Sequence, residues 1–135
     1  MDIYLNFKSE ARSAIAFYEE VFETKATEIS TYGEMPGMEE MNLTDEVRQM
    51  IINARMTIYG TRVMFADNPE GVAPELIVGN NVSLVIQTDT EETTRLFKKL
   101  SENGTINMDL DAVPWAKLYG MVTDQFGVNW QLNCA

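Results

Sequence analysis

The sequence predicts an α+β fold: paired βαβββ repeats forming a curved mixed sheet around a cleft, with the helices on the outside. Three observations carry that expectation. A period-two apolar segment followed by a helical-period segment occurs at the start of the chain and again after residue 82. Three further strand-like segments follow each helical one. The chain has 135 residues, 45% hydrophobic and 23% charged, which suits one packed domain and is short for two. A lone βαβββ unit cannot cover its helix and its sheet face, whereas two side by side can. The expected organisation is one domain, 1–135, with repeat one about 1–67 and repeat two about 82–133.

In Asp2–Phe7, Ile3, Leu5 and Phe7 share one face and Asp2, Tyr4 and Asn6 the other, the alternation of a half-buried strand. Ser9 is placed to cap a helix, and Ala11, Ala14, Ile15, Tyr18, Val21 and Phe22 recur at helical steps to about residue 22. Thr24–Thr31 reads as a polar edge strand. Gly33, Pro36 and Gly37 break up the segment that follows, Glu34–Glu40 reads as a loop, and Asp45–Gln49 suits a short helical turn. Met50–Tyr59, Gly60 and Arg62–Ala66 read as strand, turn and strand. Pro69, Gly71, Pro74 and Gly79 make Asn68–Asn81 a loop. The pattern restarts with a strand at Val82–Thr88. Asp89 with Glu92 forms a capping-box signature ahead of Thr93, Leu96, Phe97 and Leu100, so 90–103 is a second helix. Asn103-Gly104 reads as its C-terminal stop. Thr105–Leu110, Lys117–Val122 and Val128–Leu132 are strands, the last two joined by a turn at Asp124–Gly127.

Acidic residues number 21 and basic ones 10, a formal charge of −11. Such a chain repels phosphate backbones, so no nucleic-acid partner is expected, while a cationic small molecule would be attracted. No apolar run approaches the roughly 20 residues that span a bilayer, and Asp2 and Glu10 interrupt any leader-like start, so no membrane partner is expected either. The single cysteine, Cys134, has no partner thiol, which points to a reducing, cytoplasmic setting. With no base beside it, it is a poor nucleophile. There is no histidine, which removes Ser-His-Asp triads, Cys-His dyads and the common His-based metal sites together. No GxGxxG or GxxxxGK[ST] cradle is present.

YLNFKSEARSAIAFYEEVF near the N-terminus and DQFGVNWQL near the C-terminus resemble the PhnB-like branch of the vicinal oxygen chelate superfamily, which includes glyoxalase I, bleomycin-resistance proteins and extradiol dioxygenases. The strand ending MFAD at Asp67 and Trp115 ahead of YGMVTDQFG match as well. The resemblance implies the paired-repeat fold, a homodimer, and a divalent metal held in the cleft by His and Glu. The positions implied for those ligands hold Asp2 or Tyr4, Ser83 or Val85, Asn53 and Gln131. None supplies a His, and Gln131 is neutral where a metal wants a carboxylate. No cofactor and no metal site is therefore expected. A site built from carboxylates such as Asp2 and Asp67 is the alternative. The branch also carries a methyltransferase label, for which this sequence offers no glycine-rich cofactor turn.

The cleft and ligand-binding candidates are Tyr4, Asn6, Asn53, Arg55, Trp115, Tyr119, Asn129 and Gln131. Trp115 and Tyr119 could stack on a planar ligand or pack in a core or dimer contact. Trp130 shares parity with Val128 and Leu132 and belongs to the core, leaving Asn129, Gln131 and Asn133 toward the cleft. Arg55 is a cationic anchor for a carboxylate or phosphonate, or a solvated edge charge; Arg62 is a weaker case. Met56 and Met64 fill core gaps, and the methionine-rich acidic loop 35–41 is a lid, a dimer contact or a plain loop. No catalytic residue is assigned. The expected function is metal-free binding of a small organic molecule by a homodimer. The alternative is a divalent-metal lyase, transferase or dioxygenase with a non-histidine site.

Overall fold

The computed structural model describes residues 1–135. The chain forms two compact units, Met1–Ile77 and Val78–Ala135, that share one topology. The first holds β1 (Ile3–Phe7), α1 (Ala11–Val21), β2 (Thr27–Thr31), α2 (Asp45–Gln49), β3 (Ile51–Ile58) and β4 (Thr61–Asp67). The second holds β5 (Leu84–Gln87), α3 (Thr90–Ser101), β6 (Thr105–Val113), β7 (Ala116–Thr123) and β8 (Asn129–Cys134). The strand orders are β1-β4-β3-β2 and β5-β8-β7-β6. In each, the first strand pairs in parallel with the last and the other neighbours are antiparallel. The fold is α+β with two four-stranded mixed sheets, each from a βαβββ unit.

In the first unit, α1 buries Ala11, Ala14, Ile15, Tyr18 and Val21 along one stripe. It packs on β4, where Tyr18 meets Phe65 with ring centroids 5.9 Å apart. Val63 and Phe65 of β4 and Ala54, Met56 and Ile58 of β3 complete that core. Burying a Leu- or Phe-sized side chain contributes about 1.5–3 kcal/mol, so these residues are the chief source of the unit's stability. The Ser9 cap does not form. The helix begins at Ala11 after Glu10, no side chain of its own segment caps it, and the Ala11 N–H donates to Asp67 Oδ1 at 2.9 Å. The cap comes from the end of β4 instead. The helix stops where Glu23 turns left-handed (φ 50°).

The β3–β4 turn is two residues long, with Tyr59 (φ 47°) and Gly60 (φ 79°) both left-handed, the type I′ geometry whose twist suits a hairpin. The expected strand at 24–31 is shorter, Thr27–Thr31, and bulged where Glu28 has φ 52°. The expected loop 34–40 contains two 3-10 turns, Tyr32–Glu34 and Met38–Met41.

In the second unit, Asp89 caps α3 by accepting from the Glu92 N–H at 2.8 Å. Only half of the capping box forms, because Glu92 pairs with Arg95. Thr93, Leu96 and Leu100 of α3 are buried against β7 and β8, together with Val122, Trp130 and Leu132. The Asn103-Gly104 stop works differently from its expectation. Asn103 takes the left-handed position (φ 56°), and Gly104 is needed for close approach: a Cβ there would lie 2.5 Å from the Thr123 carbonyl oxygen. Gly120 is similarly constrained, with a Cβ 2.7 Å from the Phe97 ring.

Candidate functional site

The two sheets each have one face against a helix and one face free of it. In the first unit, the register aligns Tyr4 with Met64 and Met64 with Arg55, so these three form a row across β1, β4 and β3. Asn6, Asn53 and Arg62 share that face by strand parity. Asn53 Nδ2 donates to the Tyr4 hydroxyl at 3.0 Å, and that hydroxyl donates to the Ile52 carbonyl at 3.3 Å. Two candidates read separately from sequence, Tyr4 and Asn53, are thus brought together. Asn6 is exposed on the same face.

Arg55 carries an ion pair, Nη1 to Glu28 Oε2 at 2.8 Å, which the sequence did not pair. Arg62 Nε donates to Asp2 Oδ2 at 2.8 Å, and its terminal nitrogen bonds the same oxygen. That bond, and the charge behind it, holds the Asp2 carboxyl below the usual carboxylate range. A pocket of about 270 Å³ opens beside these groups, lined by Lys25, Thr27, Glu28, Arg55, Thr57 and Arg62 among others.

In the second unit the same logic builds a row of amides and hydroxyls. Trp130, Leu132 and Cys134 are buried, while Asn129, Gln131 and Asn133 alternate with them and remain half-buried. The β7–β8 register sets Tyr119 opposite Asn133, Met121 opposite Gln131 and Thr123 opposite Asn129. Tyr119 OH donates to Gln131 Oε1 at 2.6 Å, and Thr123 Oγ1 donates to Asn129 Oδ1 at 2.7 Å. Asn107 Nδ2 donates to Thr123 Oγ1 at 2.8 Å, and Asn133 Nδ2 to Gln87 Oε1 at 3.3 Å. Asn107, Thr123 and Gln87 were not anticipated; Asn107 and Gln87 lie within expected strands and Thr123 one position beyond one, so strand parity was the available signal. Trp115 does not enter a core. It sits in the β6–β7 turn, 64% exposed, with its ring edge-on to Tyr119 at 5.5 Å.

The residues present do not fit a divalent metal. Val85 pairs directly with Gln131 across β5 and β8, so two of the implied ligand positions are neighbours, but one is aliphatic and the other a neutral amide. Tyr4 and Asn53 are likewise neutral. Asp2 and Asp67 do not converge. Asp2 is tied to Arg62 of the open face, while Asp67 shares the parity of Phe65 on the helix side and is 1% exposed. Asp67 accepts from the backbone N–H groups of Ala11 (2.9 Å) and Ile51 (3.0 Å). No group of three His, Cys, Asp or Glu side chains could hold a metal ion. Asp67 joins the ends of α1, β3 and β4, and the Tyr32 hydroxyl donates to its carbonyl at 2.9 Å. Burial pushes its carboxyl above the usual range against the pull of those two N–H bonds. Burial, reinforced by this carboxylate, also raises the Tyr32 phenol.

A second cavity, about 750 Å³, lies where the loop after β4 folds toward α2. Lys8, Met50, Asn68 and Pro69 are among its lining residues, and Asn68 Nδ2 anchors the loop to the Pro74 carbonyl at 3.1 Å. From sequence, Asn68 and Pro69 read only as part of a Pro/Gly-broken connection, and Met50 as the start of a strand.

With this geometry in view, comparison with known proteins is informative. The family described as 3-demethylubiquinone-9 3-methyltransferase matches residues 1–133. Protein YjdN of Escherichia coli K12 is 31% identical, over 96% of this chain and 91% of its own. A solved structure from Bacillus cereus, described as a putative 3-demethylubiquinone-9 3-methyltransferase, PhnB protein, is 30% identical. It superposes with a TM-score of 0.80, covering 100% of this chain and 98% of that one. The fosfomycin resistance protein FosX of Listeria monocytogenes shares the fold at 12% identity (TM-score 0.66), covering 98% of this chain and 90% of that one. The chain belongs to the PhnB-like family, the one described as 3-demethylubiquinone-9 3-methyltransferase.

Proposed function

We propose that this protein binds a small organic molecule on the open sheet faces, without a metal, as a homodimer in the cytoplasm. One observation carries the reading. The positions where the family resemblance implies metal ligands hold no histidine and, apart from Asp2, which is tied to Arg62, are neutral; Tyr4 is hydrogen-bonded to Asn53, and Gln131 to its neighbour Tyr119. Such a surface recognises a ligand by hydrogen bonding rather than by Lewis-acid coordination. Exposed Trp115 beside Tyr119 adds an aromatic edge for a planar ligand. Ile106 and Met108, exposed on edge strand β6, support pairing with a second copy. The buried, unpaired Cys134 suits a reducing compartment. The methyl transfer named in the family description draws no support from a cofactor cradle in these residues.

Elemental analysis of the purified protein, followed by melting curves with Mn²⁺, Fe²⁺, Ni²⁺ and Zn²⁺, tests the reading. It predicts no stoichiometric metal and no saturable rise in Tm. Stoichiometric metal with clear stabilisation would overturn it.

A further inference from the structure

We propose that the pocket between β2, β3 and β4 of the first unit is an oxyanion subsite, with Arg55 as its principal donor. This deepens the small-molecule reading and rests on it: the ligand would carry a carboxylate, phosphate or phosphonate group.

Four observations converge on this pocket. The chain has only 10 basic residues against 21 acidic ones, yet three of the basic ones, Lys25, Arg55 and Arg62, line one cavity of about 270 Å³. Glu28 is the one carboxylate in that lining. Arg55 uses Nη1 on Glu28, but its Nε is buried with no hydrogen-bond partner. The side chain as a whole is 41% exposed, but a buried N–H is costly to leave unmatched, and a bound water or anion is one way to match it. The backbone is also distorted here. Glu28 is left-handed (φ 52°) and lies where the β2–β3 register slips between Thr27 and Ser30. Bulges of this kind re-aim a side chain, and strain held at a non-glycine residue tends to mark functional positions.

The geometry gives each group a role. Arg55 and Arg62 stand on neighbouring strands of the same face, with Thr57 opposite Arg62 and Thr27 opposite Arg55 in the register. Arg62 gives its Nε and one terminal nitrogen to Asp2, so the donors left for an oxyanion are Arg55, the other terminal nitrogen of Arg62 and two hydroxyls, with Glu28 the one carboxylate in the lining. Glu28 occupies Arg55 when no ligand is bound and competes with the anion for it. The two binding modes exchange one ion pair for another, so the subsite favours anions without fixing the ligand's remainder.

The test is calorimetric titration at constant ionic strength with inorganic phosphate and, separately, acetate, on the full chain and on Arg55→Gln, Glu28→Gln and the surface control Lys98→Gln. Saturable binding of either anion is expected, unchanged in Lys98→Gln, weakened about tenfold or more in Arg55→Gln and tightened in Glu28→Gln. Phosphate binding alone would identify a tetrahedral group, and acetate alone a carboxylate. Arg55→Gln binding as tightly as the control, weaker binding in Glu28→Gln, or no saturable binding of either anion would overturn the subsite. If neutral compounds still bind at Tyr119 and Gln131 while both anions fail, the subsite falls and the small-molecule reading stands. If no compound of any class binds, both fall.

Discussion

The indole N–H of Trp130 donates to Asp124 Oδ2 at 2.8 Å, and this buried pair ties the core of β8 to the turn that precedes it. The other oxygen of Asp124 accepts from the N–H groups of Phe126 (2.8 Å) and Val128 (3.1 Å), and Gly127 completes the turn at φ 87°. One carboxylate thus sets the β7–β8 register and, with it, which side chains of β8 face away from α3. Replacing it by Ala strands the indole N–H and two backbone donors. Leaving a buried group unsatisfied costs about 1–3 kcal/mol. Asp124→Ala is expected to lower Tm by several degrees and to change the near-ultraviolet signal of Trp130. An unchanged melting curve would contradict this.

Asp67 plays the corresponding part in the first unit but responds to pH. Its folded carboxyl is raised, chiefly by burial, above its unfolded value. The stability linked to its protonation is fully present below the unfolded pKa and is lost as pH rises through the folded one. Asp67→Asn cannot titrate, and its amide, like the protonated carboxyl, offers one good acceptor to the Ala11 and Ile51 N–H groups. Denaturant unfolding across a pH series should therefore show wild-type stability falling relative to that of Asp67→Asn as pH rises from acid toward neutral. Wild-type stability that climbs relative to the variant as pH rises would be inconsistent with a raised carboxyl.

Gly104 is a steric requirement. Adding a Cβ 2.5 Å from the Thr123 carbonyl forces backbone to move, since no flexible side chain can yield. Overpacking of this kind costs about 1–3 kcal/mol. Gly104→Ala should be clearly destabilising in equilibrium unfolding, whereas Gly71→Ala, with open space around it but φ 78°, tests backbone strain alone. Equal stability of Gly104→Ala and wild type would refute the close-approach argument.

Tyr119→Phe removes the hydroxyl that holds Gln131. Loss of one such bond costs about 0.5–1.5 kcal/mol, so the fold should survive. Its informative readout is ligand affinity, which should fall in Tyr119→Phe and stay unchanged in Lys117→Gln, an exposed neighbour on the same strand.

Much of this arrangement was legible in the sequence because strand parity is a strict period of two. Parity alone separated Tyr4 and Asn6 from Leu5 and Phe7, and Asn129 and Gln131 from Trp130 and Leu132. The helical stripes from Ala11 and from Thr93 were equally plain. What escaped had non-local causes. The cap of α1 is Asp67, 56 positions away, so the nearby Ser9 offered a false local signal. Asn103 absorbs the left-handed turn that Gly104 was expected to take, because the glycine's role depends on β7. The pairing of Arg55 with Glu28 depends on a bulge, which has no reliable sequence signature in a polar edge strand.

The most direct test of the account is a two-dimensional NMR ligand screen on metal-stripped protein in the presence of chelator. Metal-free binding predicts that at least one small molecule binds saturably and shifts the signals of Tyr4 and Asn53, or those of Tyr119 and Gln131. Binding that appears only when a divalent metal is restored would contradict it.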